Sequence, residues 1–202
     1  MFNRITISFT LFLFIVFSPL KSLATINPDS TGLPGDNLDL PAVLNLFRSS
    51  NTLEEFEKKL NTKDNHINNL DLDGDNHVDY IRVVDNMKDN IHAIVLKDPV
   101  SATESQDVAV IELKKNGDES AQVQIVGDEE LYGEKYIVEP NNTKQKDSLG
   151  GKWRGFAPQV YVVNVWYWPC VQYIYYPGYV IWVSPWYWMY WPYWWSPWYP
   201  YP

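Results

Sequence analysis

Four aspartates stand at alternating positions in one short segment of the chain, NLDLDGDNHVDYIRVV. Counted from the first of them, Asp71, Asp73, Asp75 and Asp79 occupy positions one, three, five and nine. Hard cations such as Ca²⁺ take about six to eight oxygen ligands, and carboxylates at this spacing in a tight loop direct their oxygens to one point. The backbone carbonyl of His77, at position seven, is expected to complete the inner ring. The segment therefore predicts a calcium site.

The loop must also turn sharply, and Gly74 and Asn76 are the residues that tolerate a left-handed backbone there. An acidic turn without an ion is the plain alternative, and another metal is a second one. Four unpaired carboxylates at this spacing would repel one another, which favours the calcium interpretation. The expected role of the ion is structural, because bound ligand stabilises a fold by linkage.

This stretch resembles the Asp-rich calcium loops of the FG-GAP type, in which DxDxDxxxD leads directly into a strand. It is also similar to the first half of an EF-hand loop, with two departures. Position twelve is Arg82 instead of a bidentate Glu, and position six is Asn76 instead of Gly. The resemblance implies a metal site, and the two departures argue against a helix–loop–helix sensor that opens a groove.

Two short helices are expected to precede this loop. In LDLPAVLNLFRSS, Asp39 can cap a helix whose first turn contains Pro41. In NTLEEFEKKLN, Thr52 and Glu55 have the spacing of a capping box, and the apolar residues that follow lie on one helical face.

Beyond the loop the hydrophobic period changes to two, in VDYIRVV, NIHAIVL, DVAVIEL and AQVQIV. Asn116-Gly117 is a strong hairpin signal, and strands joined by short turns pair antiparallel. GEKYIVEP can add a fifth, edge strand that Pro140 ends. We therefore predict an α+β domain at residues 36–140, with a short N-terminal helix pair packed on a four- to five-stranded antiparallel sheet.

The N-terminus predicts export. Arg4 precedes an apolar run from Ile5 to Phe17, and Ser22-Leu23-Ala24 fits the small-residue cleavage preference. We expect residues 1–24 to be a signal peptide cut after Ala24, followed by a lead at 25–35, and a periplasmic or secreted protein associated with the envelope. An uncleaved membrane anchor is the alternative, but the apolar run is short for a spanning helix.

Charge is distributed unevenly. Residues 25–150 hold all 25 Asp and Glu of the chain against 12 Lys and Arg, whereas only Lys152 and Arg154 are charged beyond Gly150. An acidic body excludes nucleic acid as an expected partner, because phosphates would be repelled. The single cysteine, Cys170, excludes an internal disulfide.

Enzyme signatures are absent from the sequence: there is no HExxH, nucleophile elbow or phosphate loop. A non-catalytic binding or scaffold protein is therefore the leading interpretation. An enzyme acting on envelope polymer, with acid residues that the sequence does not single out, is the rival class.

The C-terminal region is aromatic and holds all ten tryptophans, and from Gly155 onward it is uncharged. Eight prolines after Gly155 leave no proline-free run long enough for a membrane-spanning helix. A polar linker at 141–152 is expected to separate the domain from an appendage at 153–202. There we predict a hairpin from Gln172 to Ser184, turning at Pro177-Gly178, and an extended ribbon after Pro185.

Three interpretations compete for these rings. They can pack back against the domain, lie in a membrane interface, or stack on a polysaccharide, in which case the protein would be a carbohydrate-binding module of the cell surface. The interface is favoured over sugar binding, because the ribbon offers no rigid flat face. The candidate surface consists of Trp182, Trp186, Trp188, Trp191, Trp194, Trp195 and Trp198.

The combined layout resembles a group of uncharacterised exported bacterial proteins. The segments that carry this resemblance are LPAVLNLF, LEEFEKKLN, NLDLDGDNHVDYIRVV, ESQDVAVIEL, QIVGDEELYGEKYIVEP and the Trp-Pro-rich end. The resemblance implies the domain layout and assigns no activity.

Overall fold

The computed structural model describes residues 31–133, 136–140 and 163–202. The expected signal peptide, its cleavage site after Ala24 and the linker at 141–152 lie outside the described residues. Trp153 and the two cations beside it also lie outside them.

Two helices come first, as predicted. Helix α1 is Leu40–Ser49, and its N-cap Asp39 accepts a hydrogen bond from Ala42 N at 3.0 Å. Helix α2 is Leu53–Leu60, and Thr52 accepts from Glu55 N at 3.1 Å. The return half of the expected capping box differs: Glu55 accepts from Asn51 N at 2.8 Å instead of from Thr52. The cap thus reaches one residue further upstream.

The sheet has five antiparallel strands in sequence order: β1 (Arg82–Lys88), β2 (Ile91–Asp98), β3 (Gln106–Gly117), β4 (Ser120–Gly127) and β5 (Ile137–Val138). Short connections join the first four strands, which is why neighbours in the chain pair in space. The α+β class and the antiparallel sheet are confirmed.

Two local predictions need correction. Strand β1 begins at Arg82 instead of Val78, because Val78 N donates to Trp198 O at 2.8 Å and Ile81 N to the Asn61 side chain at 2.8 Å. The hairpin after β3 turns at residues 118–119 instead of at Asn116-Gly117, and the register shifts between Lys115 and Gly117. Contacts distant in sequence decide the first difference, and a bulge accompanies the second.

The main core lies between the helices and one face of the sheet. Phe47 and Phe56 meet edge to face across the helix pair, with ring centroids 5.6 Å apart. The inward residues of the strands, such as Val83, Ile94 and Ile111, are fully buried. Burial of these side chains supplies the main stabilising free energy of the domain.

The expected hairpin from Gln172 to Ser184 is wrong. After the one-turn helix α3 (Glu129–Tyr132), the structure has helix α4 at Pro169–Ile174. Pro169 lies in the first turn, where its missing N–H costs nothing. Cys170, Val171 and Ile174 fall on one helical face and are buried in the main core.

Residues 163–202, here called the tail, pack against the rest of the domain. Ser184 N donates to Val83 O at 3.0 Å and Asp85 N to Trp182 O at 2.8 Å, so the tail covers the free edge of β1. Further on, Trp195 and Trp198 form a second buried cluster with Val78 and Tyr80. The described part of the predicted appendage therefore contributes to the cores of the domain instead of standing apart.

Candidate metal site

The aspartate loop is built by its own carboxylates. Asp71 accepts from Gly74 N at 2.9 Å and from Asn76 N at 3.0 Å. Gly74 and Asn76 have φ values of 76° and 65°, so both residues expected to tolerate a left-handed backbone adopt one. The loop is thereby folded around the side chain of Asp71.

Three of the four aspartates come together. One carboxylate oxygen from each of Asp71, Asp73 and Asp79 lies within 4.8 Å of the other two, and all three residues are half-buried. Asp79 also accepts from Leu72 N at 2.5 Å, which ties the exit of the loop to its entry. These three residues could hold a metal ion.

Asp75 is not a member of this group. Its Oδ1 accepts from His77 N at 2.8 Å and lies 3.3 Å from His77 Nδ1. The side chain of Asp75 is 56% exposed. The role of the His77 backbone carbonyl as a metal ligand stays a prediction.

A fifth carboxylate, which the sequence did not single out, adjoins the group. Asp98 ends strand β2, one residue beyond the pair formed by Arg82 and Lys97, and this register places it beside the exit of the loop. Its side chain is fully buried, and among the described residues its one hydrogen-bonding neighbour is another acid, Asp79, so neither carboxylate oxygen meets an N–H donor. The sequence gives no sign of its role, because Asp98 follows Lys97 at the polar end of the apolar run.

Burial and mutual repulsion perturb these acids. Burial, the charge of Asp79 and a hydrogen bond to Asp79 together raise the pKa of Asp98 to about 9. Burial is also the main cause that raises the pKa of Asp79 to about 6, although hydrogen bonds from Leu72 N and from Asp98 oppose the shift. The pKa of Asp73 is raised too, chiefly by desolvation. The group is poised to hold either a proton or a cation.

A cleft lies between the tail and the aspartate loop at residues 71–79, which is called the metal loop from here on. It is lined by Asp73 and Asp79 from the loop, by Arg82 from β1, and by Tyr187 and Trp188 from the tail. Its free volume is about 50 Å³, which is room for a cation and a few small oxygen ligands.

Arg82 is only partly satisfied. Its Nη2 donates to Ser184 O at 3.1 Å, while its buried Nε has no hydrogen-bond partner. Within the described residues the side chain forms no salt bridge. Arg82 thus places a positive side chain, without a salt bridge among the described residues, on the same cleft as the acids, while its unsatisfied Nε lies buried.

The seven predicted surface tryptophans are mostly covered. Trp195 and Trp198 are buried, and the other five, Trp182, Trp186, Trp188, Trp191 and Trp194, are half-buried. The exposed apolar side chains of the tail are tyrosines, Met189 and the aliphatic residues of 180–183. The tryptophans therefore pack against other side chains, and the exposed surface of the tail is formed by the residues beside them.

Glu57 connects the tail to the domain. This buried carboxylate accepts hydrogen bonds from Tyr80 OH (2.9 Å), Val83 N (3.2 Å), Trp182 Nε1 (3.0 Å) and Ser184 Oγ (2.7 Å). Four donors around one buried carboxylate offset the cost of burying it. The contact spans helix α2, strand β1 and the tail.

Cys170 is fully buried, and burial raises the pKa of its thiol well above the ordinary value. A thiol in this state is a poor nucleophile, because the reactive form is the thiolate. In the part of the chain that the structure describes, no helix has both the length and the apolar character to cross a bilayer.

Comparison of the chain with protein-family models, with curated proteins and with solved structures finds no match in any of the three. The resemblance to exported bacterial proteins therefore stays a prediction.

Proposed function

We propose that the protein is a non-catalytic binding or scaffold protein of the cell envelope whose fold is stabilised by one Ca²⁺ ion. Asp71, Asp73 and Asp79 would hold the ion, with Asp98 as a fourth carboxylate. The observation that carries this proposal is the convergence of Asp71, Asp73 and Asp79 beside the fully buried Asp98, whose oxygens meet no N–H donor in the described part of the chain.

Electrostatics favours a bound cation over an empty site. A buried carboxylate without hydrogen bonds is costly when ionised, so it must be protonated or paired with a cation. A proton on Asp98 lets it donate a hydrogen bond to the Asp79 carboxylate, but it leaves Asp71, Asp73 and Asp79 repelling one another. A divalent cation removes both costs at once, and it also accepts the oxygens that lack donors.

Calcium is favoured over other metals by the chemistry of the donors. Three carboxylates from an irregular loop and a fourth from the end of strand β2 suit the flexible, all-oxygen coordination of Ca²⁺, whereas Mg²⁺ keeps several waters and requires a near-ideal octahedron. Zinc, copper and nickel prefer imidazole or thiolate ligands, and no His or Cys belongs to this group among the described residues.

The role proposed for the ion is structural. The loop that holds it also receives the tail, because Val78 N donates to Trp198 O and Asn69 pairs with Tyr201 through hydrogen bonds of 2.8 and 3.1 Å. An ion that fixes the loop would fix the tail upon it. Export and envelope association are proposed from the N-terminal sequence, and a membrane interface is proposed as partner from the uncharged aromatic surface.

The test is a calcium titration of chelator-treated protein followed by thermal unfolding. Saturation at about 100 times Kd should stabilise the fold by about 2.7 kcal/mol. The double variant Asp73→Asn with Asp79→Asn should lose this stabilisation, while Asp75→Asn, outside the group, should keep it. A melting temperature that does not respond to calcium would remove the proposal.

A further inference from the structure

We infer that the cleft between the metal loop and the tail binds the phosphate of an anionic lipid headgroup, with the bound cation and Arg82 on either side of it. The exposed side chains of the adjacent turn at 187–190 would enter the membrane interface. This inference rests on the calcium site proposed above and names the partner of that site.

The first support is the residue at position twelve of the loop. An EF-hand closes its ion there with a bidentate Glu, and here Arg82 lines the cleft instead. Its Nη2 donates to the Ser184 backbone carbonyl at 3.1 Å, and among the described residues it forms no salt bridge with a carboxylate. A guanidinium that lines the cleft without an anionic partner is suited to a bridging oxyanion, because guanidinium groups match phosphate geometry.

The second support is the coordination left open. Ca²⁺ takes about six to eight oxygens, and one oxygen from each of Asp71, Asp73 and Asp79 would leave positions open. Asp73 and Asp79, together with Asp75, line the cleft, so an ion held by the first two would be within reach of its free volume of about 50 Å³. Phosphate oxygens are hard donors that can replace water in such positions.

The third support is the turn that forms the opposite wall. Tyr187 and Tyr190 exchange backbone hydrogen bonds of 3.0 and 2.8 Å, and Met189 adopts a left-handed φ of 58°. The side chains of Tyr187, Met189 and Tyr190 are 58%, 68% and 52% exposed. A rigid, uncharged tip with aromatic rings fits the interfacial region of a bilayer, where such rings place an apolar body and a polar end.

Charge decides how this surface would work. The body of the protein is acidic, with 25 Asp and Glu in the chain against 16 Lys and Arg. Anionic lipids give a membrane a negative surface potential, which repels such a body. Binding therefore requires the cation, and a chelator should release the protein.

The experiment measures co-sedimentation of the purified full-length product with vesicles of phosphatidylcholine alone or with one quarter phosphatidylglycerol. Each is tested with 1 mM Ca²⁺ or with excess chelator. We expect retention on the anionic vesicles with calcium only. The variant Met189→Ser with Tyr190→Ser should weaken this retention at least tenfold, and Arg82→Gln should weaken it more than Arg82→Lys.

The control is Tyr176→Ser, which removes a tyrosine that is 67% exposed and does not line the cleft. It should bind as the unmodified protein does. Thermal stabilisation by calcium is measured on every variant, so loss of the ion site is distinguished from loss of membrane binding.

Several results would overturn the inference while leaving the calcium site in place. These are retention that persists in chelator, equal retention on neutral vesicles, or retention unchanged in the Met189→Ser, Tyr190→Ser variant. If the protein shows no preference between neutral and anionic vesicles and millimolar glycerol 3-phosphate releases it from both, the ligand is a soluble phosphate. Calcium-dependent retention on a polysaccharide instead would assign the cleft to sugar.

Discussion

Asp98 sets the behaviour of the metal loop at the scale of single residues. Its carboxyl group is fully buried and interacts with Asp71, Asp73 and Asp79, and its one hydrogen-bonding neighbour in the described part of the chain is the Asp79 carboxylate. In the absence of an ion its raised pKa, about 9, keeps it protonated at neutral pH. Asp98 is thus neutral when no calcium is bound, and in the proposed calcium-bound state its ionised carboxylate is a ligand.

The variant Asp98→Asn separates these two states. Without calcium its free energy of unfolding should stay within about 1 kcal/mol of the unmodified protein, because a neutral amide replaces a neutral acid of similar shape. With saturating calcium, most of the stabilisation should be lost. Urea unfolding in chelator and in calcium measures both, and an equal calcium effect in the two proteins would exclude Asp98 as a ligand.

Glu57 gives the second prediction at this scale. Burial raises its pKa above the ordinary value of 4.5, although hydrogen bonds from Ser184, Trp182 and Tyr80 oppose the shift. Because the folded state then holds this proton more tightly than the unfolded chain does, the free energy of unfolding should fall as pH rises from about 4.5 through the raised pKa.

This contribution should be absent from Glu57→Gln and present in Glu54→Gln, which alters an exposed acid of the same helix. Urea unfolding at a series of pH values, with each variant compared with the unmodified protein, measures it. Identical slopes for all three proteins would show that Glu57 is not perturbed in this way.

The sequence identifies part of the site and misses part for a physical reason. Spacing alone brings Asp71, Asp73 and Asp79 into one loop, and the loop geometry confirms their proximity. Asp98 is 19 residues beyond Asp79 in the chain, and only the register between β1 and β2 places it there. Asp75 has the right spacing, but its carboxylate is used by the backbone and ring of His77.

At the scale of elements, the local rules work where the chain caps itself. Asp39 and Thr52 act as N-caps as their positions predict. The start of β1 and the helix α4 escape these rules, because residues 78–81 take partners from the tail and from Asn61, and α4 is held by the core that it enters. Such tertiary contacts override local pattern.

Removing the cap of α2 provides a prediction at this scale. Thr52→Ala should lower the free energy of unfolding by about 1 kcal/mol, since it leaves Glu55 N without an acceptor. Thr103→Ala, in an exposed loop, is the matched control and should change it by less than about 0.5 kcal/mol. Equal effects in urea unfolding would mean that the cap contributes nothing measurable.

At the scale of the whole molecule, the aromatic tail is part of the fold. Trp195 and Trp198 close a second cluster over Val78 and Tyr80, directly behind the metal loop. Composition could show that this region is uncharged and broken by proline. It could not show where the rings lie, because burial against the domain, membrane and sugar all suit the same residues.

Two substitutions test this integration. Trp198→Ala should cost roughly 3 kcal/mol or more in the free energy of unfolding, because it empties a buried site. Tyr193→Ala removes a ring that is fully exposed and should cost less than about 0.5 kcal/mol. If both variants unfold at the same urea concentration as the unmodified protein, the tail is not packed as described.

Calorimetric titration of Ca²⁺ into chelator-treated protein measures the proposed binding of the ion directly. We expect one ion per chain, with binding lost in Asp79→Asn and kept in Asp75→Asn. No heat of binding, or binding that is unchanged in Asp79→Asn, would contradict it.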